Sequence, residues 1–197
     1  MTPRARGAWR PPPVPSTGVL QEVAQQFCPP YEIADTERKR PGVRLRDPTG
    51  RRPDVLVRHR YEKRLFLRAN YLSLSATVAG AGPVGAVDLA VRLRGPLSRQ
   101  RATVHRKEQG ADGRDWFERL RHPLLEAANS VEAVQSLSAT WSPKRREWSV
   151  RLETMSGSMV SGMMAGLPIA VPFEPKEASA FIGLVDAFVE AAAVPPA

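Results

Sequence analysis

Cysteine is almost missing from this chain. Cys28 stands alone among 197 residues, so no intrachain disulfide can form. Its spacing to His59, His105 and His122 matches no zinc-binding pattern. It closes an apolar helical pattern and reads as a small packed hydrophobe rather than a nucleophile. Long apolar runs are lacking too. No stretch approaches the length of a membrane span, and the arginines near the N-terminus are not followed by an apolar run of signal-peptide length. A cytoplasmic location is the expectation.

Catalytic signatures are equally scarce. The three histidines are scattered, and none lies near a glycine-flanked serine, so no nucleophile, base and orienting group are brought together by sequence. There is no nucleophile elbow and no Walker loop. Gly80–Gly85 matches G-x-G-x-x-G superficially. It joins two strands rather than a strand and a helix, and Pro83 removes an N–H that a phosphate would need. The acid pairs Asp112/Asp115 and Glu174/Glu177 sit where helix starts favour negative charge. The expected catalytic set, metal site and cofactor are therefore none.

What the chain does have is basic charge, unevenly spread. The formal net charge is +9. Residues 1–69 hold 15 basic and 7 acidic groups, 70–130 hold 9 and 6, and 131–197 hold 5 and 7. The excess belongs to the first third. Residues 1–16 contain five prolines and three arginines and bury too little apolar surface to fold, so a disordered tail is expected there.

From Thr17 the pattern is that of a folded domain. Val19, Leu20, Val23 and Phe27 mark a helix stopped by Pro29-Pro30. Val43–Arg46 alternates as a short strand. Val55 and Val57 share one strand face, as do Leu65 and Leu67, with a turn expected at Arg60–Lys63 between them.

The centre of the sequence is a repetition. Leu74–Thr77 and Leu137–Thr140 both read Leu-Ser-Ala-Thr. Each precedes a Val-Arg-Leu triplet, at Val91–Leu93 and Val150–Leu152. A third alternating run and a helical pattern follow each triplet. The expected fold class is α+β, an antiparallel sheet built from two β-β-β-α units with helices packed on one face. The units span about 70–130 and 131–193 of a single internally duplicated domain, 17–194. The strands of the first unit, near 72–78, 87–93 and 102–104, are expected to form a three-stranded meander. Pro123 should kink or restart the first unit's helix. In the second unit a strand over 167–173 carries Pro168 and Pro172, which suits a sheet edge. Residues 31–69 should add strands at an edge, and a sheet edge is where a homodimer would form.

Two binding classes follow, both non-catalytic. One is a small apolar or amphipathic ligand held between the sheet and the last helix. It would be gated by the uncharged, methionine-rich segment Met155–Gly166, with Met159 and Met163 in contact. The blander reading of that segment is a buried strand with a bulge at Gly162. Arg92, Arg94, Arg101 and His105 on the outward sheet face would grip an anionic group of the ligand. The alternative is a nucleic acid or other polyanion docked on the basic segment 38–68 through Arg44, Arg46, Arg58, Arg60, Arg64 and Arg68. Interspersed acids dilute that field, and an ordinary solvated charged surface competes with both readings.

Overall fold

Both Leu-Ser-Ala-Thr segments are in strands, and one other strand lies between them. The computed structural model describes residues 17–37, 41–63, 67–94, 101–108, 113–162 and 169–194. In chain order these form α1 (Thr17–Gln25), β1 (Glu32–Glu37), β2 (Gly42–Arg46), β3 (Val55–Lys63), β4 (Leu67–Ala79), β5 (Val87–Arg94), β6 (Arg101–Glu108), α2 (Gly113–Ser130), β7 (Val134–Ser142), β8 (Glu147–Gly162), β9 (Ile169–Ala170) and α3 (Pro175–Ala193). The fold is α+β, and the sheet is antiparallel throughout. Its order is β1-β2-β3-β4-β8-β7-β5-β6, with β9 added beside the far end of β8.

The twin segments flank β8 in matched register. Leu152 lies between Leu74 and Leu137, Arg151 between Ser75 and Ser138, Val150 between Ala76 and Ala139, and Ser149 between Thr77 and Thr140. The repeated letters thus meet the same residues from two sides. This pairing corrects the expected meander. β4 and β5 follow one another in sequence yet do not touch, because the hairpin of β7 and β8 separates them. The unit order strand-strand-strand-helix survives, but the strands of the two units interleave.

Three helices cover one face. Along β4, β8, β7 and β5 the alternate residues Leu72, Leu74, Ala76, Val150, Leu152, Leu137, Ala139 and Leu89 are buried beneath them. α3 lays Phe181, Leu184, Val185 and Phe188 onto this layer, each at most 2% exposed. Trp148 is the hub, with ring centroids 5.7 Å from Trp116, 5.4 Å from Trp141 and 5.4 Å from Phe188. Truncating a buried aromatic of this kind costs about 3–5 kcal/mol.

Residues 80–86 carry the chain from β4 to β5 across the end of the β7–β8 hairpin. Trp141 Nε1 donates to Pro83 O at 2.7 Å and Trp148 Nε1 to Ala81 O at 3.2 Å. Gly80 N donates to Arg146 O, and Ala81 N to Ala192 O at the end of α3. A Cβ on Gly82 would stand 2.3 Å from the Trp141 ring. The glycines of the rejected phosphate motif are here because a strap passes over two indoles.

Other expectations shift in detail. Residues 60–63 are part of β3 rather than the expected turn. Pro123 is carried inside a single continuous α2. Of the strand expected over 167–173, the described residues show Ile169–Ala170 as strand, and residues 167–168 lie outside the described residues. Residues 31–53, read mostly as loop, also contain β1, and β1 to β3 do extend the sheet at one edge. The expected disordered tail, residues 1–16, lies outside the described residues. No helix among the described residues is long and apolar enough to cross a membrane.

Candidate functional site: the open face of the sheet

On the face turned away from the helices, small hydroxyl side chains form a regular lattice. Strand alternation puts Ser73, Ser75 and Thr77 there from β4, Ser136, Ser138 and Thr140 from β7, and Ser149, Arg151 and Glu153 from β8 between them. The rows continue outward. Ser73 pairs with Arg58 and Ser75 with Leu56 on β3, and Leu56 with Arg44 on β2. In the other direction Ser138 pairs with Ala90 on β5, and Ala90 with His105 on β6. Thr140 pairs with Asp88, and Asp88 with Lys107.

Cations stand on this table in three groups. Arg44, Arg46, Arg58 and Arg60 line one bank on β2 and β3. Arg151 stands in the middle. Arg92, His105 and Lys107 line the other bank. Four strand spacings separate Arg58 from Arg92, or about 19 Å. Arginines that the sequence assigned to rival ligands, Arg92 on one side and Arg44, Arg46, Arg58 and Arg60 on the other, are thus on two banks of one surface.

Acids are interspersed among these cations, Glu32, Asp35 and Asp88 in their strand rows and Glu153 and Asp54 in direct contact with arginines. Glu153, only 6% exposed, accepts from Arg60 Nη1 at 2.9 Å, from Arg151 Nη2 at 2.8 Å and from Ser136 Oγ at 3.1 Å. Arg151 Nε also donates to Ser73 Oγ at 3.3 Å. Asp54 stands 3.9 Å from Arg44 Nη1 and 3.7 Å from Arg46 Nε. In both clusters one carboxylate serves two guanidiniums. Each guanidinium has five N–H donors, so one shared carboxylate orients a pair without using up its donors.

Arg94 and Arg101 are cross-strand partners at the tip of β5 and β6, at strand positions in step with Arg92 and His105. Not every candidate joins this surface. Arg68 is a β4 position paired with Lys63 and Ser161. Arg64 and Met163 lie outside the described residues, and Met159 is a β8 position paired with Asn70 and Ala170. The interface between α3 and the sheet, where an apolar ligand was expected, is filled by the aromatic and aliphatic side chains already described. A groove of about 170 Å³ lies elsewhere, between α2 and α3, against Pro123, Ala127, Ala180, Gly183 and Ala187.

The uncharged segment is structural where it is described. β8 bulges between Thr154 and Met159 while β4 advances only from Leu72 to Asn70. The bulge centres on Gly157, at φ +71°, rather than on Gly162. Ser and Thr hydroxyls satisfy the displaced backbone. Leu72 N donates to Ser158 Oγ at 3.0 Å, Ser158 Oγ to Thr154 O at 2.9 Å, and Thr154 Oγ1 to Glu132 O at 2.7 Å. His59 Nε2 lies 2.8 Å from Gly157 O. A carbonyl only accepts, so Nε2 carries the proton, and burial pushes the His59 pKa below its ordinary value. Sequence reasoning passed over His59 and Glu153. Their signal was a titratable residue inside an alternating strand, which has no meaning until the neighbouring strands are known.

Several charges of the basic segment hold the fold instead of facing outward. Asp47 accepts from Thr49 N, Thr49 Oγ1 and Arg52 N, and the Thr49 hydroxyl holds its carboxyl below the usual range. That turn aims Arg52 at α3, where Nε and Nη2 grip Asp186 at 2.6 and 2.9 Å. Glu177, 1% exposed, accepts from Glu132 N and Glu174 N at 2.9 Å each and so ties the start of α3 to the end of α2. Among the described residues no group of three or more His, Cys, Asp or Glu is placed to hold a metal ion.

Comparison with known families adds a boundary. Residues 27–192 match the model of a family described as Protein of unknown function (DUF3156). The chain belongs to that family. The match in this DUF3156 member takes in all nine strands, α2 and nearly all of α3, so the open face lies wholly within the family's domain. No curated protein and no solved structure gives a significant match.

Proposed function

We propose that this is a non-catalytic protein that docks a polyanion, such as a nucleic-acid backbone, on the open face of its sheet. The observation that carries the reading is the cluster at the middle of the face, where one buried carboxylate, Glu153, orients the half-exposed guanidiniums of Arg60 and Arg151. A single carboxylate positions both while leaving N–H donors for phosphate oxygens. The hydroxyl lattice between the banks supplies further donors, as backbone-reading surfaces use Ser and Thr. The described face presents no exposed aromatic platform, so the reading is of phosphate rather than of stacked bases.

The test is fluorescence anisotropy with a labelled single-stranded oligonucleotide, with inorganic polyphosphate as competitor. Four phosphate contacts on a single strand would weaken binding about fifty-fold between about 50 and about 200 mM salt. Arg46→Gln and Arg92→Gln, one exposed position on each bank, should each weaken binding and lower the salt slope by about one. An absence of binding at the lower salt, or binding that ignores both substitutions, overturns the proposal.

A further inference from the structure

Among the described residues β1 and β6 end the sheet, each hydrogen-bonded to one neighbour. An open edge is a template for pairing with another chain. The path from β1 to β6 contains eight strands, all antiparallel to their neighbours. An even count makes the two terminal strands run in opposite directions. A second copy, set beside the first in the same orientation, therefore brings its β1 antiparallel to β6. The helices of both copies then lie on the same side.

The charges of the two edges fit that arrangement and oppose the others. β1 reads Glu-Ile-Ala-Asp-Thr-Glu, three acids and no base. β6 reads Arg-Ala-Thr-Val-His-Arg-Lys-Glu, three bases, a histidine and one acid. β1 against β1 would oppose acid to acid, and β6 against β6 base to base, and like charges across a strand pair are destabilising. Only β1 against β6 sets opposite signs together. Glu32 and Asp35 pair with Arg46 and Arg44 of the open face, so they lie on the side of the sheet that carries His105 and Lys107. Ile33, 40% exposed, is on the helix side with its partner Leu45.

We infer that copies of this chain associate head to tail, β1 of one against β6 of the next. The interface is heterologous, so it generates rings or open filaments rather than a closed two-fold dimer. A bulge separates Ile33 from Asp35, and Asp35 Oδ1 accepts the Thr36 N–H at 2.7 Å. The hydrogen-bonded contact is accordingly short and depends on charge. This inference is independent of polyanion binding and is tested without any polyanion.

Sedimentation velocity of the full chain over a concentration series is the experiment. At about 0.05 M salt the mean sedimentation coefficient should rise with concentration, and at about 0.5 M it should return to the monomer value, as the screening length drops from about 14 Å to about 4 Å. E32K/D35K and R101E/K107E should each abolish the rise, and the four substitutions together should restore it. Arg106 is left alone because its guanidinium stacks on Phe117 at 5.4 Å. Circular dichroism establishes that each variant is folded, and the neutral E32Q/D35Q, expected to weaken the rise, replaces the reversal if that does not fold. E32K/D35K keeps its β6 edge, so a small amount added to wild type should cap and shorten the assemblies. A monomer at every concentration at low salt overturns the inference. So does association that survives both reversals, or dimers that the capping variant leaves unchanged.

Discussion

Single residues in this protein are constrained by what passes closest to them. Gly82 lies under the Trp141 ring, with no room for a Cβ. Gly82→Ala should destabilise the fold by about 1–3 kcal/mol, the usual cost of overpacking, and a urea titration would measure it. His59 is held neutral by burial, with its Nδ1 buried and without a hydrogen-bond partner among the described residues. The unfolded chain takes up this proton near pH 6.5, and the folded chain only at lower pH. Between those values the unfolded state binds more protons, so stability falls as pH falls. His59→Gln keeps a donor toward Gly157 O and does not titrate. Between about pH 7.5 and about pH 5 the urea midpoint of the wild type should therefore decline relative to that of the variant. A constant difference between the two would show that His59 does not titrate differently on unfolding.

At the scale of elements, β8 organises the sheet, and its bulge depends on hydroxyls. Ser158 Oγ accepts from an amide in the adjoining strand, Leu72 N. Ser158→Ala leaves that buried donor unsatisfied at a cost of about 1–3 kcal/mol. Hydrogen exchange should show lost protection at Leu72 with the Val150–Leu152 amides unaffected. Most elements were legible in the sequence because each buries one face. Period-two runs marked β4, β5, β7 and the first half of β8, and period-3.6 runs marked α1, α2 and α3. What misled was local chemistry overridden by context. Pro123 remains inside α2, held by Trp116, Leu120, Leu124 and Ala127 on its buried side. Beyond Ile169–Ala170, Val171 still exchanges backbone hydrogen bonds with Gly157 and Ser158 at the bulge of β8.

For the whole molecule, interleaved pairing has a consequence that two side-by-side repeats would not. Residues 17–130 contain β4 and β5 but lack β7 and β8, which stand between them. A fragment of that range should not give a dispersed NMR spectrum, because its sheet lacks its middle. Mixed with residues 131–197, it should recover one. A first fragment that folds alone would contradict this dependence. Long-range pairing of this kind also predicts slow folding relative to a bundle of similar size, since distant segments must meet before their contacts stabilise anything.

The sequence alone determined which face of each segment is apolar, because a period of two or 3.6 is written in consecutive letters and burial is its direct physical result. From that came the α+β class, the antiparallel sheet, the helices on one side and the strand character of both Leu-Ser-Ala-Thr segments. Strand order was decided only by the tertiary structure, since pairing is a choice among surfaces far apart in the chain. That choice put β8 between the twins. It also put the arginines of β2 and β3 on the same open face as Arg151 and Arg92, and it left an acidic strand at one edge and a basic strand at the other.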